Sequence, residues 1–134
     1  GSTLEASRAR EVGFLRQLHD ALRMDEKASG VHNWFRQGNE SCHFTGITCD
    51  MHGLVAIVDL SNKGLSGSLP QSFSPLSRLE RLALRNNDIQ GNLPNQFPDT
   101  LRQINFDQNR MHGTLPTFQF TSDSLSAATP SQTI

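Results

Sequence analysis

Residues 55–70 read VAIVDLSNKGLSGSLP, residues 79–94 read LERLALRNNDIQGNLP, and residues 101–116 read LRQINFDQNRMHGTLP. The three stretches align without a gap, and their starts lie 24 and 22 residues apart. Apolar side chains recur at the same offsets. They are Val55, Val58, Leu60, Leu65 and Leu69, then Leu79, Leu82, Leu84, Ile89 and Leu93, then Leu101, Ile104, Phe106, Met111 and Leu115. Each copy closes on Gly-x-Leu-Pro, an ending that chance does not place three times at one offset. Self-similarity at such a period marks a chain built by stacking one small unit on the next.

Within each copy the x-L-x-L-x stretch alternates with a period of two, so its leucines face one way and the intervening residues the other. One such strand has nothing to bury its apolar face against. Identical strands stacked in parallel, roughly 4.8 Å apart, bury a continuous column. The predicted fold is therefore an α/β repeat solenoid. Asn87 and Asn109 follow the strands of the second and third copies, where a carboxamide can satisfy main-chain groups that an inward turn leaves unpaired. Lys63 holds that place in the first copy. It has no acceptor, so the first turn is predicted to be less regular. Gly67, Gly91 and Gly113 permit a tight path, and Pro70, Pro94 and Pro116 keep the return segment extended. Phe73 and Phe97, at one offset in their repeats, join Leu76 in filling the convex side.

A stack of repeats exposes its column at each end and needs a cap. From about residue 5 to 24 the chain reads as a helix with Val12, Leu15, Leu18 and Leu22 on one face, slightly weakened at Gly13 and broken at Gly30. Trp34 reads as the core anchor of this cap. Cys42 and Cys49 enclose six residues and read either as two reduced thiols or as one disulfide. The organisation expected is a cap over 1–54, repeats over 55–78, 79–100 and 101–116, a possible further strand over 117–121, and a Ser/Thr-rich tail over 122–134. Gly1-Ser2 reads as a cloning remnant, with any secretion signal removed ahead of it.

Residues 42–49, CHFTGITC, follow a helix and a tryptophan and precede the first repeat. This arrangement resembles the amino-terminal cap of plant-type leucine-rich-repeat proteins, in which a helix and a Trp lead into a C-x-W-x-G-[VI]-x-C hairpin. Trp34, Cys42, Phe44, Gly46, Ile47 and Cys49 fall on that pattern, with Phe44 in place of its second Trp. The L-x-G-x-L-P repeat ending is similar to the same subfamily, which includes receptor-kinase ectodomains, polygalacturonase-inhibiting proteins and kinetoplastid surface antigens. The resemblance covers about residues 8 to 116. It implies an oxidised Cys42–Cys49 pair and an extracellular or cell-surface life. A loop this short, closed by a disulfide, contributes on the order of 2.5 kcal/mol.

Composition narrows the function. A formal net charge of −1 excludes a strongly basic nucleic-acid footprint, and no apolar run approaches the ~20 residues of a membrane span. Apolar residues make up 35% of the chain, enough for one lean core. Cys42, His43, Cys49 and His52 have the spacing C-H-x5-C-x2-H, which matches no common structural zinc site, so neither a metal nor another cofactor is expected. No nucleophile elbow or phosphate loop is present, and the chain is read as a binding module, not an enzyme. Asn39-Glu40-Ser41 is a sequon, which makes Asn39 a possible glycosylation site.

The repeat fixes which side chains line the concave face: Ile57, Asp59, Ser61 and Asn62; Arg81, Ala83, Arg85 and Asn86; Gln103, Asn105, Asp107 and Gln108. Of these, Asp59, Ser61, Arg81, Arg85, Gln103, Asn105 and Asp107 are the candidate contacts to a protein or peptide partner. Arg85 and Asp107 stand at equivalent places on neighbouring strands, where an exposed ion pair is expected. The functional counterpart is an arginine anchor for a carboxylate-bearing partner. Two other uses are an inhibitor of a secreted enzyme and a self-assembling unit. The far end, covered only by Phe118 and Phe120, is expected to leave Phe106 and Met111 half exposed and to pair as a homodimer.

Overall fold

The computed structural model describes residues 2–24, 34–35 and 41–113. The expectations for Gly30, Asn39, the 117–121 strand and the 122–134 tail lie outside them. A helix α1 (Ser2–Ala21) is followed by a 3-10 turn at Ser41–His43 and six short strands: β1 (Ile47–Cys49), β2 (Val55–Asp59), β3 (Arg81–Ala83), β4 (Gln90–Asn92), β5 (Gln103–Asn105) and β6 (Arg110–His112). One sheet has the order β1-β2-β3-β5 and the other pairs β4 with β6.

The three aligned strands stack as the repeat dictates. Val58 pairs with Leu82 and Leu82 with Ile104 in parallel register, and all three are buried. Above them Leu60, Leu84 and Phe106 form a second buried row, and Leu65, Ile89 and Met111 a third. The main chain continues the ladder past the strands, with Leu60 N–H donating to Ala83 O and Leu84 N–H to Asn105 O, both at 2.8 Å. Phe73 and Leu76 are buried on the convex side, where Phe97 stacks on Phe73 with ring centroids 6.0 Å apart. Phe106 and Met111 are buried too, contrary to the half exposure expected of an end repeat.

The turns after the strands are regular in every copy. Asn62, Asn86 and Gln108 share one left-handed backbone conformation, with φ of 60°, 58° and 62°. The irregularity expected at Lys63 does not occur, because each asparagine serves the coil before it as well as its own. Asn87 Oδ1 accepts from the N–H groups of Lys63 and Leu65, at 3.0 and 3.1 Å. Its Nδ2 donates to the carbonyls of Leu60 and Leu84, at 2.9 and 3.0 Å. Asn109 repeats this one coil on: Oδ1 accepts from Ile89 N–H, and Nδ2 donates to Leu84 O and Phe106 O. An asparagine at position 63 would have no preceding repeat to serve.

The cap differs in detail from its sequence reading. Leu15, Leu18 and Leu22 are buried as predicted, but Val12 is only half-buried, and Glu11, Phe14 and His19 are buried in its stead. The stripe is rotated toward the first repeat, where Phe14 meets Phe73 edge-on with centroids 5.0 Å apart. The helix stops earlier than expected, at Ala21. Met24 N–H returns to His19 O and Arg23 N–H to Asp20 O, a Schellman closure with Arg23 left-handed at φ 53°. Gly67 lies against this helix end at φ 86°, where any Cβ would fall on the carbonyl oxygen of Ala21. Trp34 is 1% exposed, stacks on Phe44, and donates from Nε1 to Thr45 O at 2.9 Å.

Cys42 and Cys49 are joined in a disulfide, which removes both thiolates from the zinc set considered above. The hairpin does not turn between the two cysteines. Its arms are β1 and β2, paired antiparallel with Ile47 opposite Val58, and its loop is residues 50–54.

The asparagine ladder carries a direct test. Asn87→Leu leaves buried main-chain groups of two coils unpaired, at about 1–3 kcal/mol per group, so urea denaturation is expected to show a loss of about 3 kcal/mol or more. Lys63→Asn is expected to change stability by no more than about 0.5 kcal/mol. A gain of 1 kcal/mol or so from the lysine replacement would show that each asparagine serves its own coil alone.

Candidate functional site

The parallel register sets the concave face row by row. Ile57, Arg81 and Gln103 are aligned partners, and so are Asp59, Ala83 and Asn105. Asp59, Arg81, Arg85 and Gln103 are exposed, while Ile57, Ser61, Ala83, Asn105 and Asp107 are half-buried. The inward neighbours Leu82 and Leu84 are fully buried, so the strand faces as the alternation requires.

These side chains enclose a hollow of about 380 Å³ whose lining includes Asp59, Ser61, Arg81, Ala83, Arg85, Gln103 and Asn105. Ala83 has the smallest side chain of this lining. A methyl group there leaves space that the longer side chains around it do not fill. Arg81 and Arg85 flank the alanine along its own strand, Asp59 lies across on the preceding coil and Asn105 on the following one. Six of the seven residues singled out from the sequence thus line one hollow. Asp107 does not; its N–H donates to Asn105 Oδ1 at 3.0 Å, and its place is beyond the rim. Asp59 makes the equivalent contact, accepting from Ser61 N–H at 3.2 Å.

A second hollow, of about 370 Å³, lies at the ends of the strands between Asn62, Arg85, Asn86 and Gln108. Asn86 Nδ2 donates to Asn62 Oδ1 at 2.6 Å, so the amides form a row across the coils. Arg85 lines both hollows. Its main-chain N–H donates to Ser61 Oγ at 3.2 Å. Arg81 is positioned differently, with Nε donating to Gln103 Oε1 at 2.7 Å.

The expected Arg85–Asp107 ion pair is not formed. Among the described residues, the pair that links neighbouring coils joins Arg110 Nε to Asp88 Oδ1 at 2.9 Å, outside the concave face. Two features escaped the sequence reading. Ala83 appeared only as one outward residue among others, although RLALR already placed it between two arginines. The row Asn62, Asn86 and Gln108 was seen as outward but not as a second hollow.

A family model described as Leucine Rich Repeat matches residues 78–99, the central coil. Receptor protein-tyrosine kinase CEPR1 of Arabidopsis thaliana is 36% identical over 110 residues, covering 78% of this chain and 11% of that protein. Receptor-like protein kinase 7 of Arabidopsis thaliana is 32% identical over 98 residues, covering 70% and 10%. Receptor protein kinase WSS1 of Oryza sativa subsp. japonica is 34% identical over 88 residues, covering 64% and 10%. The chain thus spans about a tenth of the length of these curated relatives. Among solved structures, the BIR2 ectodomain from Arabidopsis thaliana superposes with a TM-score of 0.66 at 24% identity, covering 78% of this chain and 58% of that one. The BIR3–SERK2 complex from Arabidopsis thaliana gives 0.61 at 22% identity, covering 76% and 57%. These likenesses establish the solenoid fold.

The facing of β3 is checked by a pair of adjacent substitutions. Leu84→Asp places an unpaired charge in the buried column, a loss of several kcal/mol that is expected to unfold the domain. Arg85→Asp, one residue along, is expected to stay within about 0.5 kcal/mol of the parent. Thermal melts showing equal losses for the two would mean that the strand faces the other way.

Proposed function

The chain is a leucine-rich-repeat protein with a cysteine-paired cap similar to that of plant receptor kinases, and from this premise we propose that it is a non-catalytic recognition module of the cell surface or extracellular space. It binds a protein or peptide partner on its concave face. The observation that carries this reading is the Ala83 hollow with Arg81 and Arg85 on its rim. Guanidinium groups meet a carboxylate with two parallel hydrogen bonds, and a recess beside them admits the group that bears it. The surrounding side chains, Asn105, Gln103, Asn62 and Asn86, offer donors and acceptors suited to a partner's main chain.

Three further observations support it. Hydrophobic side chains are committed to the column, leaving a polar face whose contacts are hydrogen bonds and charge. Disulfides persist in oxidising compartments, which fits Cys42–Cys49 and the surface location. A solved structure of the same fold is itself a complex, BIR3–SERK2. Among the described residues no helix is long and apolar enough to cross a membrane.

The test uses the immobilised chain and a display library of peptides with free or amidated carboxyl groups. Selected binders are expected to be carboxylate-bearing, and Arg81→Glu with Arg85→Glu is expected to weaken them at least about tenfold, given ~1.5–3 kcal/mol for each hydrogen bond to a charged group. Ala83→Trp, which fills the hollow, is expected to do the same, with circular dichroism and the melting temperature preserved in both variants. Binding that survives both changes refutes this use of the face.

A further inference from the structure

The joint between cap and repeats contains a carboxylate that the concave face does not use. Glu11 lies in the middle of α1 and is 1% exposed. Its two oxygens share one donor, the main-chain N–H of Val55, at 3.0 and 3.1 Å. Val55 opens β2, so this contact fastens the cap helix to the first strand of the repeat sheet. A single amide is weak compensation for a charge withdrawn from water, because a buried anion is stable only when its lone pairs are met.

The charged groups around it do not supply the rest. Arg8, one turn earlier on α1, directs Nη2 to the carbonyl of His52 at 2.7 Å. From the β1–β2 loop Glu11 faces Asp50, a charge of its own sign, with His52 beside it. Burial opposes the charge on Asp50, but the N–H groups of Leu54 and His52 outweigh it. With His52 and Arg78 nearby, they hold its carboxyl below the usual range. Burial pushes the Glu11 carboxyl up to about 7; Asp50 adds to the rise, while the Val55 N–H and Arg8 oppose it.

We propose that the buried Glu11 is a proton-sensitive clasp between the cap and the repeats: the joint is most stable with Glu11 neutral. Ionisation destabilises it because the one N–H of Val55, although it bonds the anion more strongly, does not replace the water that the charge loses. A carboxyl raised in the folded state favours folding in its protonated form. Its contribution is fully present below its ordinary value of 4.5 and is lost as pH rises through about 7. The clasp reaches the binding face through β2, which starts at Val55 and ends at Asp59 on the rim of the Ala83 hollow.

Two measurements on the full chain decide it. Carbon-13 NMR of the labelled glutamates reads the titration of Glu11, with a midpoint near 7 expected. Thermal melts between pH 5.5 and 8 compare the parent with Glu11→Gln, which keeps an acceptor for Val55 and carries no charge. The parent is expected to melt about 5 °C lower at pH 8 than at pH 5.5, and the glutamine variant to lose most of that difference. A merely structural role would change the melting temperature equally at both pH values. A midpoint near 4.5, or a pH dependence unchanged in Glu11→Gln, overturns the clasp. Should the variant fail to fold, the titration midpoint of the parent alone decides.

Discussion

No coil of this chain can bury its own leucines, and that constraint orders the rest of the structure. A strand as short as Arg81–Ala83 offers one inward side chain, Leu82, which is covered only because Val58 and Ile104 lie in register on either side. Burying each such side chain gains about 1.5–3 kcal/mol, but only when the neighbouring coil is present. Register therefore has to be exact in number: a slip of one residue would turn Leu82 outward and Arg81 inward. The asparagines enforce it. Asn87 binds main-chain groups of two successive coils with one carboxamide, so a slipped coil would forfeit the bonds of both.

The cap has to satisfy two different demands at the first coil. The open edge of β2 presents main-chain donors and acceptors, which β1 pairs by running antiparallel to it. The apolar column needs side chains, which α1, Trp34 and Phe44 supply. A disulfide beside β1 holds the hairpin arm that meets the first demand. Where the two solutions converge, polar groups are drawn inside: the end of α1 presses its Ala21 carbonyl on Gly67, and Glu11 is buried against Val55. Glycine at 67 removes a side chain that would collide with the helix end.

What was legible in the sequence is what geometry repeats. The apolar columns, the outward rows and the convex phenylalanines follow from one period, so Leu84, Arg85 and Phe73 stand where the pattern put them. The cap helix was read less well because apolar residues occur at both 12 and 14; only the tertiary partner, Phe73, selects Phe14. Glu11 belongs to the same stripe as Leu15, Leu18 and Leu22 by spacing, yet a carboxylate is not read as core without knowing what it binds. Lys63 misled because an asparagine looks like part of its own turn, whereas its oxygen serves the coil before. The β4–β6 pair was unread because Gln90–Asn92 and Arg110–His112 show no run of alternating apolar residues; main-chain hydrogen bonding defines that sheet.

The same division explains why the candidate site sits where it does. Inward positions are constrained by the column and outward ones are not, so the concave face is free to vary in size and charge without altering the coil. A hollow arises when one outward residue is much smaller than those around it, which is the relation of Ala83 to Arg81 and Arg85. The two arginines then contribute differently. Arg81 Nε donates to Gln103 Oε1, a bond that orients its guanidinium across the coils. Arg85 borders both hollows, and its reach spans the strand face and the amide row at the turns. The two guanidinium groups thus differ in place: one is bonded across to the next coil, and the other stands between the two hollows.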